Sequence, residues 1–167
     1  MNPLPTPSPR RKALRPALVA AAAATGAAGL GALGTDIGPW YLALRQPDWK
    51  PPDAWFGPAW TLIFTLIGVA GARAWLRATG RAERQWLLWA FGVNGALNVL
   101  WSWLFFRWRR PDWALVEVVV FWLSIVVLIV LVRRTDPVSA LLLVPYLLWV
   151  AFAAALNLAV VRLNPVL

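Results

Sequence analysis

Residues Asp112–Val132 read DWALVEVVVFWLSIVVLIVLV, and after the opening aspartate they hold one ionisable side chain, Glu117. A helix of about 20 mainly apolar residues crosses a hydrocarbon layer of about 30 Å. Within lipid a backbone must satisfy its own hydrogen bonds, which a helix does inside one segment. The stretch is therefore a membrane span. Working outward, the polar turn Arg133–Asp136 leads into a second apolar run, and the basic turn Arg107–Pro111 closes a third. Two more lie towards the N-terminus. The expected fold class is all-α, an integral membrane bundle of five transmembrane helices, with spans at about 17–35, 58–78, 85–106, 112–132 and 137–161. The connections are short except for residues 36–57, and a long loop in a compact domain is usually functional.

Composition agrees with lipid as the partner. Of 167 residues 60% are hydrophobic and 14% charged, against about a quarter charged in soluble domains; the mean hydropathy is +0.63. The net charge of +9 would suggest nucleic acid in a soluble protein. Here the basic residues flank apolar runs, where they meet headgroups, so the bilayer is the expected partner and nucleic acid is not. The basic segment 1–16, with five prolines and Arg10, Arg11, Lys12 and Arg15, is expected to be a disordered surface tail before a transmembrane domain at 17–167. Ten Lys and Arg lie on the N-terminal face and six on the other, which favours a cytoplasmic N-terminus. The Arg- and Ala-rich composition suggests a bacterial cell envelope.

The chain has no cysteine and no histidine, and its one methionine is Met1. Disulfides, thiolate chemistry and the usual metal ligand and general base are thereby excluded. No nucleophile–base pair, metal-ligand cluster or phosphate loop can be assembled, so no catalytic residue and no metal site is assigned. No resident cofactor is expected. A haem would find little beyond tyrosine as an axial ligand, so any tetrapyrrole would be held as a ligand, by stacking.

Two helix faces stand out. In the third span Phe91, Asn94, Asn98, Trp101 and Phe105 recur at spacings of three and four, and so share a face. Amides are costly in hydrocarbon unless hydrogen-bonded, so Asn94 and Asn98 point inward, either to bond neighbouring helices or to line a cavity. In the fifth span Tyr146, Trp149, Ala153 and Asn157 share a face, where the small Ala153 could be ordinary packing or leave room for a flat ligand. Glu117 lies little more than a turn from the interface and could reach water or pair with Arg110; as an ionisable group within a span it is also a functional candidate. Small residues spaced by four (Ala23, Ala27, Gly31) and the pair Gly68 and Gly71 allow close helix contacts.

The loop and its exit read WYLALRQPDWKPPDAWFGPAW over Trp40–Trp60, holding Trp40, Trp49, Trp55 and Trp60 of the chain's 13 tryptophans. Trp55, Trp103, Trp108 and Trp113 suit an interfacial belt. Trp40, Tyr41 and Trp49, spaced by Pro47, Pro51 and Pro52, suit a rigid aromatic lid, because proline fixes backbone angles.

Four ordered motifs carry a resemblance: Trp40-Tyr41…Leu44…Pro47…Trp49…Pro51-Pro52, then Gly57-Pro58…Trp60, then Asn98…Trp101 with Phe105-Phe106, then Pro145-Tyr146-Leu147…Trp149…Ala151-Phe152…Leu156-Asn157. Together they resemble the TspO/MBR family of tryptophan-rich sensory proteins and translocator proteins. The resemblance implies a five-helix bundle, commonly a homodimer, that binds protoporphyrin-type tetrapyrroles and other flat hydrophobic ligands between the helices beneath the first loop. It implies a pocket with Trp40, Tyr41 and Trp49 as lid, Asn94, Asn98 and Trp101 from the third span, and Trp149 and Ala153 from the fifth, beside Tyr146. Arg45, Lys50 and Glu117 are candidate polar contacts, the first two for propionates. The tyrosine of the family's sterol motif is absent, with Leu158 after Leu156-Asn157. The function expected is a porphyrin-binding receptor, sensor or carrier. A light-dependent porphyrin-degrading enzyme and a structural assembly protein are the alternatives.

Overall fold

The computed structural model describes residues 9–165. Helix α1 runs Pro9–Gly34, α2 is the short Pro39–Ala43, and a 3₁₀ turn at Asp53–Trp55 leads into α3, Phe56–Arg77. Helix α4, Arg81–Ser102, widens into a π-helical turn at Trp103–Arg107; α5 spans Pro111–Thr135, α6 Pro137–Leu142 and α7 Val144–Leu163. Among the described residues five helical segments are long and apolar enough to cross a membrane, and no strand is present. The chain is an all-α, multi-pass membrane bundle.

The ends differ from expectation in ways the residues explain. Helix α1 starts at Pro9, so the part of the expected tail from Pro9 to Pro16 is helical, while residues 1–8 lie outside the described residues. Arg, Lys, Ala and Leu are good helix formers, which extends the helix back from the apolar run. The fifth span is two helices, α6 and α7, joined at Leu143. Pro145 lacks the N–H that would bond the Leu141 carbonyl, and the helix breaks there. The loop at 36–57 contains α2 and the 3₁₀ turn rather than irregular chain alone.

Helix α5 lies at the centre. Val118, Phe121, Ile125, Leu128 and Val132 form a fully buried stripe at helical spacing, packed with Tyr146 and Val150 of α7 and Ile63, Ala70 and Ala74 of α3. Helix α1 covers α3 where Gly68 lets it in: a methyl at Gly68 would sit 3.7 Å from Ala24 Cβ and 3.8 Å from the Ala20 carbonyl oxygen. The seam therefore uses Ala20 and Ala24, while Ala23 is exposed. A methyl at Gly71 would sit 3.6 Å from the Phe91 ring, and one at Gly31 3.7 Å from Ser102 Oγ. Gly34 admits the Trp103 indole, whose Nε1 donates to the Leu30 carbonyl at 3.0 Å.

The face away from the loop is fastened by one carboxylate. Asp136, fully buried, caps α6 by accepting from Ser139 N at 3.2 Å and Ser139 Oγ at 2.6 Å. It also accepts from Arg73 Nε at 3.1 Å and from Arg77 Nη1. Burial pushes its pKa up, but Ser139 and the two guanidiniums outweigh that and hold it below the usual carboxylate range. Beside it Glu83 accepts from Thr79 N at 2.8 Å and from Thr135 Oγ1 at 2.5 Å, tying the α3–α4 turn to the end of α5.

Candidate ligand-binding cavity

Three ties hold the first loop over the bundle. Tyr41 donates its hydroxyl to Asp53 Oδ1 at 2.9 Å, and Lys50 Nζ reaches the same oxygen at 2.6 Å while lying 5.5 Å from the Tyr41 ring. Arg45 N donates to Asn164 Oδ1, and Asn164 Nδ2 donates back to the Arg45 carbonyl, both at 3.0 Å, which joins the loop to the end of α7. Trp49 packs edge-on to Phe152 at 6.0 Å, and Trp40 edge-on to Phe105 at 6.4 Å. Burial and then the Asp53 contact raise the Tyr41 pKa. For Lys50 burial lowers the pKa, but its bonds to Asp53 and Tyr41 more than offset this and raise it. Raised values favour the protonated forms in the folded loop. Burial raises the Asp53 pKa, but the bonds from Lys50 and Tyr41 outweigh it and hold the carboxyl below its usual range. The latch thus contributes fully between about pH 4 and pH 10. It is lost as pH falls through the folded Asp53 value or rises through the folded Tyr41 and Lys50 values.

Beneath the loop lies a cavity of about 920 Å³. Its chamber is walled by Phe56, Trp60 and Phe64 of α3, Asn98 and Trp101 of α4, and Trp149 and Ala153 of α7. The rings brace one another: Trp60 meets Trp149 at 6.4 Å, Phe56 meets Trp149 at 5.7 Å, and Trp101 meets Phe105 at 5.5 Å. The π turn sets both Phe105 and Phe106 against the cavity. Closing that turn, Trp108 N bonds the Trp103 carbonyl at 2.8 Å, and Arg109 (φ 55°) reverses the chain.

Of the expected site residues, Tyr41, Asn98, Trp101, Trp149 and Ala153 line this cavity. Asn94 and Tyr146 stand behind the wall. Tyr146 donates to Asn94 Oδ1 at 3.0 Å and accepts from Asn98 Nδ2 at 3.4 Å, and Asn94 Nδ2 donates to Ser124 Oγ at 2.8 Å. Asn94 joins helices through Tyr146 and Ser124, whereas Asn98 does both, bonding Tyr146 and lining the cavity. Trp101 Nε1 donates to Asn157 Oδ1 at 3.2 Å, and Asn157 Nδ2 donates to the Pro111 carbonyl at 2.9 Å.

Trp40 and Trp49 do not line the cavity. Trp40 is half-buried against Phe105 with the Arg109 guanidinium 5.9 Å from its ring, and Trp49 is 53% exposed with one edge on Phe152. Lys50 is taken up by Asp53, and the Arg45 contacts are made by its backbone. Glu117 is buried at 9% exposure with both carboxyl oxygens unpartnered. The expected partner Arg110 instead bonds Asp112 and lies 4.4 Å from the Trp113 ring. Trp55, Trp108 and Trp113 are exposed, as a belt requires.

Sequence reasoning gave no site role to Phe56, Trp60, Phe64 or Gln46. The first three repeat every four residues, a signal available in the sequence; Gln46 had none. Two lining residues carry buried donors without a hydrogen-bond partner, Trp149 Nε1 and Gln46 Nε2. A buried unsatisfied donor costs about 1–3 kcal/mol, and both nitrogens are enclosed by the surrounding side chains rather than presented to the cavity. Among the described residues no three His, Cys, Asp or Glu side chains gather as a metal site.

These features define a multi-pass helical membrane protein with an aromatic-walled cavity closed by a pinned loop. The chain belongs to the TspO/MBR family, whose family model matches residues 17–163. It is 37% identical over 126 residues to the tryptophan-rich protein TspO of Chlorobaculum tepidum, covering 75% of this chain and 80% of the relative. It is 37% identical over 134 residues to protein CrtK of Rhodobacter capsulatus, covering 77% and 80%. The translocator protein of Homo sapiens is 33% identical over 126 residues, covering 75% of each.

Proposed function

We propose that this protein is a membrane receptor or carrier for protoporphyrin-type tetrapyrroles and other flat hydrophobic ligands. The observation that carries this reading is the chamber itself, a cavity of about 920 Å³ with flat aromatic walls. Rings that brace one another at 5–7 Å offer faces and edges to a planar ligand. Relatives named translocator protein and tryptophan-rich sensory protein agree with a binding role. The tetrapyrrole is a ligand held by its rings and edges, with no axial bond from the chain. In this reading the protein lies in a bacterial envelope with its N-terminus in the cytoplasm.

Titration of the purified protein with protoporphyrin IX, followed by tryptophan fluorescence, tests the reading. The expected result is saturable quenching near one ligand per chain, weakened in Asn98→Ala. Linear quenching, equal in both proteins, would mean that porphyrin merely dissolves in the micelle.

The same reading includes a homodimer formed through the outer face of α4. Leu88, Trp89 and Val93 are exposed there around a shallow groove that Gly92 and Ala96 floor, and a side chain at Gly92 would meet open space. Small residues four apart let helix backbones approach in lipid. Gly92→Leu is expected to shift the protein from dimer to monomer by light scattering in detergent, with its melting temperature unchanged. A dimer fraction equal to that of the parent chain would remove this face from consideration.

A further inference from the structure

On the face away from the loop the charges do not balance. Arg73 and Arg77 of α3, Arg81 and Arg84 of α4, and Arg133 and Arg134 of α5 stand there with two carboxylates, Asp136 and Glu83. Glu83 is taken up by Thr79 and Thr135, and among the described residues Asp136 alone ion-pairs on this face. It accepts from Arg73 Nε at 3.1 Å and from Arg77 Nη1, so the trio keeps one positive charge. A guanidinium carries five N–H donors, and among the described residues the remaining donors of this pair meet no protein acceptor. Asp136 is 0% exposed, whereas the two arginine side chains are 36% and 53% exposed. The pair is therefore anchored on its inner side and open on its outer side. Depth matters too. Helix α3 has 22 residues, about 33 Å at 1.5 Å per residue, close to the ~30 Å of the hydrocarbon layer. Its last residue, Arg77, thus lies at the headgroup boundary, and Arg73 about 6 Å inside it. Val69 and Leu76 are exposed on the same helix, so lipid lies beside the pair.

We propose that Arg73 and Arg77 form a binding site for the headgroup phosphate of an anionic phospholipid. An arginine within a span calls for a partner, and Asp136 neutralises only half of the pair. A phosphodiester brings one negative charge, which matches the surplus, and planar guanidiniums bind phosphate oxygens through parallel N–H bonds. Because Asp136 already holds both side chains, less rotamer freedom is lost than at unanchored arginines. A zwitterionic headgroup carries the same phosphate together with a cation, which the other arginines of this face repel. A headgroup without a cation, such as phosphatidylglycerol, is therefore preferred. The bound lipid braces α3 against α6, since the arginines belong to α3 and the carboxylate between them caps α6. The site stands apart from the aromatic chamber and does not depend on what the chamber holds.

Native mass spectrometry of the full chain in detergent tests the site, with phosphatidylglycerol and phosphatidylcholine of the same acyl chains as probes. The parent chain is expected to bind phosphatidylglycerol several-fold more tightly. Arg73→Gln and Arg77→Gln each leave Asp136 one arginine, and each is expected to weaken phosphatidylglycerol about fivefold, the worth of one arginine near a lipid surface. Arg133→Gln removes the same charge from the same face outside the pair, and Arg162→Gln removes it from the opposite face. At about 0.15 M salt, which screens charges that make no direct contact, both are expected to bind as the parent does. Melting temperatures without phospholipid report folding. Where a Gln variant does not fold, Arg73→Lys decides, because it keeps the charge beside Asp136 but loses the fork, and most of the preference is expected to go with it. Equal binding of the two lipids by the parent would overturn the site. So would equal weakening in Arg133→Gln, which would show a diffuse charged surface. Displacement of the lipid by inorganic phosphate at matched concentration would make the pair a site for a free anion and overturn the lipid as its occupant.

Discussion

Trp149→Ala is expected to bind protoporphyrin IX about thirtyfold more weakly than the parent chain. That is the ~2 kcal/mol typical of a central buried aromatic anchor. Trp149 meets Phe56, Trp60 and Phe152, so its removal takes away a wall and loosens the rings that brace it. Trp149→Phe grades the loss. It keeps a ring face but shortens the wall by part of the indole, so its loss is expected to be near fivefold, about the 1 kcal/mol of a modest loss of buried apolar surface. Isothermal titration in one detergent, with melting temperatures alongside, checks both. Equal dissociation constants for all three proteins would place porphyrin outside this chamber.

Asp136→Ala is expected to destabilise the bundle by about 3 kcal/mol, between the ~1 kcal/mol of a lost helix cap and the 3–5 kcal/mol of a broken buried ion pair. The discount is needed because Arg73 and Arg77 are 36% and 53% exposed and can recover water. A fall of roughly 10 °C in melting temperature follows for a chain of this size. The pH dependence has a definite sign. A carboxylate whose folded pKa is lowered contributes stability that is complete above its unfolded value of ~3.9 and is lost as pH falls through the folded value. The gap between parent and variant should therefore be full at pH 7 and close progressively below pH 4. A gap that is constant from pH 7 to pH 3 would show that Asp136 acts through packing alone.

The five spans were legible because lipid imposes length and apolarity on every span. Finer features depended on partners distant in sequence. Periodicity put Asn94 and Asn98 on one face; Tyr146, about 50 residues away, bonds both, and Ser124, 30 residues from Asn94, takes up the Asn94 amide group while Asn98 keeps a place in the cavity wall. On α1 the expected line held at Gly31 and Ala27 but missed at Ala23, because the run Ala20–Ala24 is unbroken alanine and offers no contrast between faces. Glu117 lost its expected partner because Asp112, two residues from Arg110, captures the guanidinium first. Trp40 and Trp49 were legible as loop aromatics, yet each packs on a bundle ring, Phe105 and Phe152, and neither lines the cavity. Proline spacing reports rigidity, not the side of the loop to which a ring points.

Thr61, Thr65 and Val69 of α3 line the cavity and are also exposed on the outer surface, so the cavity is open on that side. This opening, together with a loop fastened at Tyr41 and Arg45, changes what concentration means for this protein. A ligand arriving through that opening does so from the acyl region, so occupancy follows its mole fraction in the bilayer and not its molarity in buffer. Two compounds with identical contacts in the chamber will then differ in apparent affinity by the ratio of their partition coefficients. Doubling the lipid at fixed protein and total ligand halves the mole fraction of a strongly partitioning compound, and occupancy drops accordingly. Rankings of ligands by buffer concentration would largely rank their solubility in fat, whereas rankings at constant membrane mole fraction would report the walls themselves.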